Sequence, residues 1–263
     1  MRKIPIFQVD AFAGAIFQGN PAAVIPLDGW LSNAKMQSIA GENNLAETAF
    51  FVPRGDDYEL RWFTPRAEVN LCGHATLATA FVLFNLFDIE RDSVRFFTRS
   101  GELGVERQGE LLTLDFPRLA LYPCDAPRAL QEGLSRPSLT VFKNDEDPNY
   151  FAILETEDAV RSLAPRFDHL ERLHPYGTVI TARGESADFV SRYFAPSYGI
   201  PEDPVTGSIH CALVPYWAER LGKEELFARQ LSERGGELTC QLLGDRVAIG
   251  GKALLYMEGV IFV

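Results

Sequence analysis

The sequence predicts an α+β protein in two pseudo-symmetric halves, each an antiparallel β structure wrapped around one buried helix. Three observations carry this. The chain repeats itself, both copies contain short strand-like segments, and each copy holds one helix that is apolar on nearly every face.

The repeat is read from four landmarks in order. Arg54-Gly55 is answered by Arg183-Gly184, and Arg61-Trp62-Phe63-Thr64-Pro65 by Arg192-Tyr193-Phe194-Ala195-Pro196. Cys72-Gly73-His74 opens an apolar run, as does Thr206-Gly207-Ser208. Gly101-Glu102-Leu103 is then answered by Gly236-Glu237-Leu238. Four landmarks with a slowly growing offset are hard to obtain by chance. They divide the chain into residues 1–118 and 119–263, meeting near Pro117–Pro127. The final strand, Val260–Val263, is a candidate to cross back to the first half.

The elements follow from local pattern. Phe7–Phe12, Thr48–Val52, Tyr58–Phe63 and Leu111–Phe116 are short, Val/Phe-rich or alternating, and bounded by Gly, Pro or Asp, as strands are. Ser32–Glu42 reads as a surface helix capped by Ser32, and Thr156 caps Glu157–Leu163 at the corresponding place. Ala75–Phe87 and Ile209–Leu221 are apolar all round, the mark of a buried helix. Pro215 is expected to kink the second.

Composition excludes several function classes. Against 25 Lys+Arg stand 36 Asp+Glu, a net charge of −11, and no compact basic run offsets it. Such a surface repels phosphate backbones, so nucleic acid is not an expected partner. Neither a signal peptide nor a membrane span is legible, which predicts a cytoplasmic protein without a membrane partner. The four cysteines, Cys72, Cys124, Cys211 and Cys240, form no CxxC pair, so free thiols and no structural metal are expected.

The chemistry is sought where the buried helices begin. Their first N–H groups lack intrahelical partners and carry roughly half a unit of positive charge. Gly73 and Gly207 stand at those starts, where a missing side chain lets another group approach the backbone. Two such termini turned into one cleft would receive a small carboxylate. Simple capping by Ser208 or a nearby Asp is the structural alternative.

Three polar clusters compete for catalytic roles. Glu47 lies between a loop and a strand, able to project from fixed backbone or to be a solvated turn acid. His74 sits in the first turn of an apolar helix, where the dipole is expected to favour the neutral ring. Asp203 precedes the second helix, where capping and function are about equally indicated.

These strings carry a resemblance. Phe17-Gln18-Gly19-Asn20-Pro21-Ala22-Ala23-Val24, Asn44-Leu45-Ala46-Glu47-Thr48-Ala49-Phe50, Phe63-Thr64-Pro65, Cys72-Gly73-His74-Ala75-Thr76 and Glu202-Asp203-Pro204-Val205-Thr206-Gly207-Ser208 resemble the PhzF-like phenazine-biosynthesis family, in order along essentially the whole chain. The resemblance implies a diaminopimelate epimerase-like fold, with two pseudo-symmetric domains, each a β-barrel-like sheet around a central helix. It implies a cofactor-independent isomerase, similar to trans-2,3-dihydro-3-hydroxyanthranilate isomerase, and a homodimer. The family's catalytic glutamate matches Glu47. Its substrate-contacting His, Asp and Ser match His74, Asp203 and Ser208, and Asn20, Gly73 and Gly207 complete the expected substrate-binding set.

The residues also bear on mechanism. Epimerases of this fold use one cysteine from each half. Here Cys72 is answered by Thr206, whose hydroxyl is far too weak an acid or base to replace a thiol. A single carboxyl moving a proton on a small anionic metabolite, with no metal or other cofactor, is the expected route. A noncatalytic carboxylate-binding protein is the alternative from another class, and a two-base amino-acid epimerase or racemase is a less favoured one.

Overall fold

Two units, each with its own core, make up the computed structural model, which describes residues 2–136 and 140–263. The first unit is Met1–Phe116 together with Ile249–Val263, and the second is Pro117–Ala248.

In the first unit, strand Lys3–Ala11 runs antiparallel to Asn20–Pro26 on one side and to the C-terminal strand Ala253–Phe262 on the other. Asn20–Pro26 then pairs parallel with Glu47–Arg54, a pairing that needs a crossover. Helix Asn33–Asn43 supplies it. Ser32 caps this helix by accepting from the Lys35 amide, and Asn44 ends it in the left-handed conformation. Glu47–Arg54 turns back antiparallel as Asp57–Phe63, which pairs parallel with Ser93–Thr98. The second crossover contains the buried helix Gly73–Val82, continued by one π turn, Leu83–Phe87. Ser93–Thr98, Gly101–Gln108 and Leu111–Pro117 finish the unit as an antiparallel meander.

The second unit repeats this order of pairings. Thr140–Asn144 is antiparallel to Asn149–Ile153, which is parallel to Gly177–Arg183, which is antiparallel to Phe189–Ala195. Phe189–Ala195 is parallel to Glu225–Gln230, itself antiparallel to Gly236–Leu243. Short helices Glu157–Arg161 and Phe167–Leu170 make the first crossover, and Gly207–Leu221 the second. Pro215 lies inside that last helix without ending it. A proline there leaves the carbonyl four residues earlier without its helical donor, and the Leu119 amide donates to that Cys211 carbonyl at 3.0 Å.

Side chains mark the repeat as clearly as the strands do. Arg61 Nε donates to Glu68 at 2.7 Å, and Arg192 Nε donates to Glu202 at 2.7 Å. Asp57 accepts the Arg95 amide across the parallel pair at 3.1 Å, and Asp188 accepts the Phe227 amide at the matching place at 2.7 Å. Cross-strand register aligns the two copies residue by residue: Thr48 faces Phe63, and Thr178 faces Phe194. Glu47 in the first unit therefore corresponds to Gly177 in the second.

The four cysteines are free; Cys72, Cys211 and Cys240 are buried. Among the described residues, no helix is long and apolar enough to cross a membrane.

Candidate active site

Glu47, His74, Cys72 and Asn20 meet at the start of the first unit's buried helix. Each is delivered by local backbone chemistry. Gly19 has φ +72°, and a Cβ there would lie 2.2 Å from the Ala11 carbonyl oxygen, so glycine is required for the chain to re-enter the sheet at Asn20. The left-handed Asn44, with φ +50°, turns the chain out of its helix so that Glu47 begins the next strand. Cys72 is the extended N-cap residue of the buried helix, with no side-chain cap bond, and His74 occupies the first turn.

The resulting cluster is almost dry: Glu47 is 8 % exposed and His74 5 %. His74 Nε2 lies 3.0 Å from Glu47 Oε2. The contact is an ion pair poorly aligned for a hydrogen bond, and Oε2 has no other partner. On the opposite edge of the ring, Nδ1 lies 3.2 Å from the Asn20 amide nitrogen and 3.6 Å from Cys72 Sγ. Burial alone works against a charged ring, yet the Cys72 and Glu47 groups beside it push His74 well above the ordinary histidine value. This direction runs against the sequence expectation, in which the helix dipole favours the neutral ring. Cys72 goes the other way: burial, with Glu47 adding to it, pushes its thiol up to about 11, so it holds its proton at neutral pH.

Glu47, Cys72 and His74 also place one potential ligand atom each within 4.8 Å of one another. A thiophilic ion bound there would have to displace the thiol proton and replace the His74–Glu47 contact.

The second unit assembles a different set at the matching helix start. Helix Gly207–Leu221 begins after the extended N-cap Thr206, again with no side-chain cap bond. The Thr206 hydroxyl donates to Asp203 Oδ2. Asp203 is thus tied to the N-cap side chain rather than to the helix amides. Gln230 clasps the segment, donating to the Asp203 carbonyl at 2.9 Å and accepting the Thr206 amide at 2.9 Å. Ser208 stands in the first turn of this helix, near Asp147. Burial pushes the Asp147 carboxyl above the usual range, with nearby Ser208 opposing it. Burial and the nearby Asp147 and Asp203 carboxylates push the Tyr193 phenol far up. His210, also buried, is pulled down to about 4 and donates from Nδ1 to the Thr206 carbonyl at 2.8 Å.

Of the residues named from sequence, Asn20, Glu47, Gly73 and His74 come together in the first unit, and Asp203, Gly207 and Ser208 in the second. Sequence reasoning missed Asp147, Tyr193 and Gln230. Tyr193 stood in plain view as the repeat's counterpart of Trp62. Extending the repeat backward along the strands would have reached Asp147.

Comparison with known proteins agrees with this architecture. The family model described as phenazine biosynthesis-like protein matches residues 9–259. A Pseudomonas aeruginosa protein named an uncharacterized isomerase is 52% identical, over 98% of this chain and 99% of its own. A crystal structure of a PhzF-family phenazine biosynthesis protein from Enterococcus faecalis superposes with a TM-score of 0.95 at 44% identity, covering 100% of both chains. A hydroxyproline epimerase from Agrobacterium vitis, solved with trans-4-hydroxy-L-proline, shares the fold at 11% identity, with a TM-score of 0.64 over 99% of this chain and 92% of its own. With its duplicated epimerase-type fold and a match over nearly its whole length, the chain belongs to the PhzC-PhzF phenazine biosynthesis-like family and is an isomerase.

Proposed function

We propose that the protein is a cofactor-independent isomerase in which Glu47 removes a proton from a small unsaturated carboxylate and returns it to another atom on the same face. The observation that carries this reading is the asymmetry of the repeat. The first unit holds a buried carboxyl against a charged imidazole, and the equivalent positions of the second are Gly177 and Ser208. Neither can serve as an opposing base. A thiol pushed up to about 11 is likewise a poor base at neutral pH.

In this reading the His74 imidazolium keeps a positive charge against Glu47 while the carboxylate takes the substrate proton. It then faces the delocalised anion that forms. Donors aimed at developing charge in a water-poor site are worth up to a few kcal/mol each. Asn20, the Gly73 amide and His74 contact the substrate from the first unit. Asp203, the Gly207 amide and Ser208 are the candidate binding groups of the second unit. The substrate class is a small carboxylate with a proton made acidic by an adjacent double bond, of which trans-2,3-dihydro-3-hydroxyanthranilate is the first to try. The protein works in the cytoplasm and as a homodimer.

The test is solvent exchange. Wild-type protein in deuterated water should place deuterium on carbon in that compound or in another member of a panel of unsaturated carboxylates. Glu47→Gln should lower the rate by about 10³-fold or more, the scale of a lost general base, with the fold intact by circular dichroism. Undiminished exchange in Glu47→Gln would overturn the reading.

A further inference from the structure

The first unit's cluster contains one group that the proposed reaction leaves idle. Glu47 carries the proton and His74 faces the developing charge, whereas Cys72 takes no part. Yet its Sγ lies 3.6 Å from His74 Nδ1 and 4.0 Å from Nε2. Glu47 Oε2 stands 3.0 Å from the same Nε2. Sulfur, ring nitrogen and carboxylate oxygen thus converge within 4.8 Å of one another. Among the described residues, no other His, Cys, Asp or Glu side chains gather three such atoms this closely. The remaining cysteines, Cys124, Cys211 and Cys240, stand outside the cluster.

This donor set matches one class of cation. A tetrahedral zinc centre, with nitrogen and oxygen near 2.0–2.1 Å and sulfur near 2.3 Å, spaces its ligand atoms roughly 3.3–3.7 Å apart. The distances in the cluster bracket that spacing, so side-chain movements of about 1 Å would seat the ion. Charge balances as well. A dication meets a carboxylate and a thiolate, with neutral imidazole as the third ligand, and the nearly dry site gains no net charge. Mg²⁺ and Ca²⁺ require shells of oxygen, which a single carboxylate beside a thiol and a ring does not supply. Thiolate together with imidazole selects zinc-like ions. Cys72 keeps 7 % of its surface exposed, which leaves an ion a way in. On the far edge of the ring the Asn20 amide lies 3.2 Å from Nδ1 and orients it, as outer-shell groups do for metal-bound histidines. In the second unit the matching positions are Gly177, Thr206 and Ser208, which offer no such ligands.

We propose that Glu47, Cys72 and His74 form an inhibitory binding site for a thiophilic divalent cation of the Zn²⁺ type. On binding, the Sγ–H and Nε2–H protons pass to solvent, and the freed lone pairs, with one from Glu47 Oε2, go to the metal. Nothing is oxidised or reduced. The fourth position stays open to water. Glu47 then no longer takes a substrate proton, and His74 no longer presents its Nε2–H to developing charge. Cys72 thereby leaves turnover alone and makes it sensitive to the metal.

Inhibition rests on Glu47 and His74 being the reacting groups, whereas metal binding does not, and the test reads the two separately. Metal-free wild type, Cys72→Ala and Cys72→Ser are titrated with Zn²⁺ by calorimetry and with Co²⁺ by absorption, each shown to be folded by circular dichroism. Wild type should bind one ion per chain and give a thiolate-to-cobalt charge-transfer band. Both variants should lose that band and bind Zn²⁺ about 100-fold or more weakly, at least the loss that removal of an outer-shell partner causes. In the deuterium-exchange assay Zn²⁺ should inhibit wild type over the range in which it binds, and a chelator should restore the rate. The Cys72 variants should keep exchanging at those concentrations, and Mg²⁺ should leave all three unaffected. Equal Zn²⁺ binding by wild type and Cys72→Ala, or a cobalt complex without the thiolate band, would overturn the site. Tight binding with an unchanged exchange rate would overturn the inhibition. Exchange absent from every substrate would overturn the proposed reaction instead, and the cobalt spectrum would still decide the metal site.

Discussion

The two units keep the same scaffold chemistry and change every residue that could do chemistry. Arg61–Glu68 and Arg192–Glu202 are the same bidentate pair, and Asp57 and Asp188 hold the same strand amide. At the helix starts the correspondence ends. Cys72 becomes Thr206, His74 becomes Ser208, Glu47 becomes Gly177, Asn20 becomes Asp147 and Trp62 becomes Tyr193. A duplicated fold supplies two equal frames, and the division of labour lies in what each frame presents. The first unit pairs an acid with a charged base. The second offers hydroxyls, a carboxyl and amides, a set suited to recognition.

The frame should be costly to remove in both copies and costlier in the second. Arg192 is 9 % exposed and donates to the Val160 and Leu163 carbonyls as well as to Glu202. Arg61 donates to Glu68 and to the exposed Asn33 side chain. Arg192→Met should therefore cost about 3 kcal/mol or more in urea unfolding, the scale of a broken buried pair, and Arg61→Met less. Equal losses would mean that the extra carbonyl bonds add nothing.

Gly177→Ala probes the position where the copies differ most. The new methyl would press on Asn149 and Tyr193, and a loss of about 1–3 kcal/mol is expected. A neutral outcome would show that the tyrosine moves aside freely and is no fixed part of the second unit's site.

The charged pair of the first unit can be read by ring NMR. His74 should stay protonated well above pH 6.5 in the wild type and titrate lower in Glu47→Gln, where burial is no longer opposed by that carboxylate. Because the folded value is raised, stabilisation from this pair is complete below the unfolded value and is lost as pH rises through the folded one. Activity should decline over that same upper limb. An ordinary titration near 6.5 would remove the imidazolium from the mechanism.

The smallest effect is expected at Cys72. Cys72→Ala should keep exchange activity within about tenfold of wild type, against the 10²- to 10⁴-fold expected of a lost acid or base. Dialysis against a chelator should leave the rate unchanged. A Cys72 loss matching that of Glu47→Gln would restore the thiol to the reaction.

The sequence by itself determined the duplication and the two buried helices, because these are written as ordered strings: a glycine after a cap position, an all-apolar run, an Arg-aromatic strand. Such features depend on neighbours within a few residues. Tertiary structure decided the rest. The raised proton affinity of His74 draws on Glu47 as well as on neighbouring Cys72, and Glu47 lies far away in sequence and 3.0 Å away in space. The fate of the carbonyl that Pro215 deprives of its donor depends on the Leu119 amide, supplied from outside the helix. Asp147 matches Asn20 only once parallel pairing sets it two residues ahead of the partner of Gly177. Local patterns fix backbone conformation, whereas protonation and hydrogen-bond direction are set by whichever groups the folded chain brings within a few ångströms.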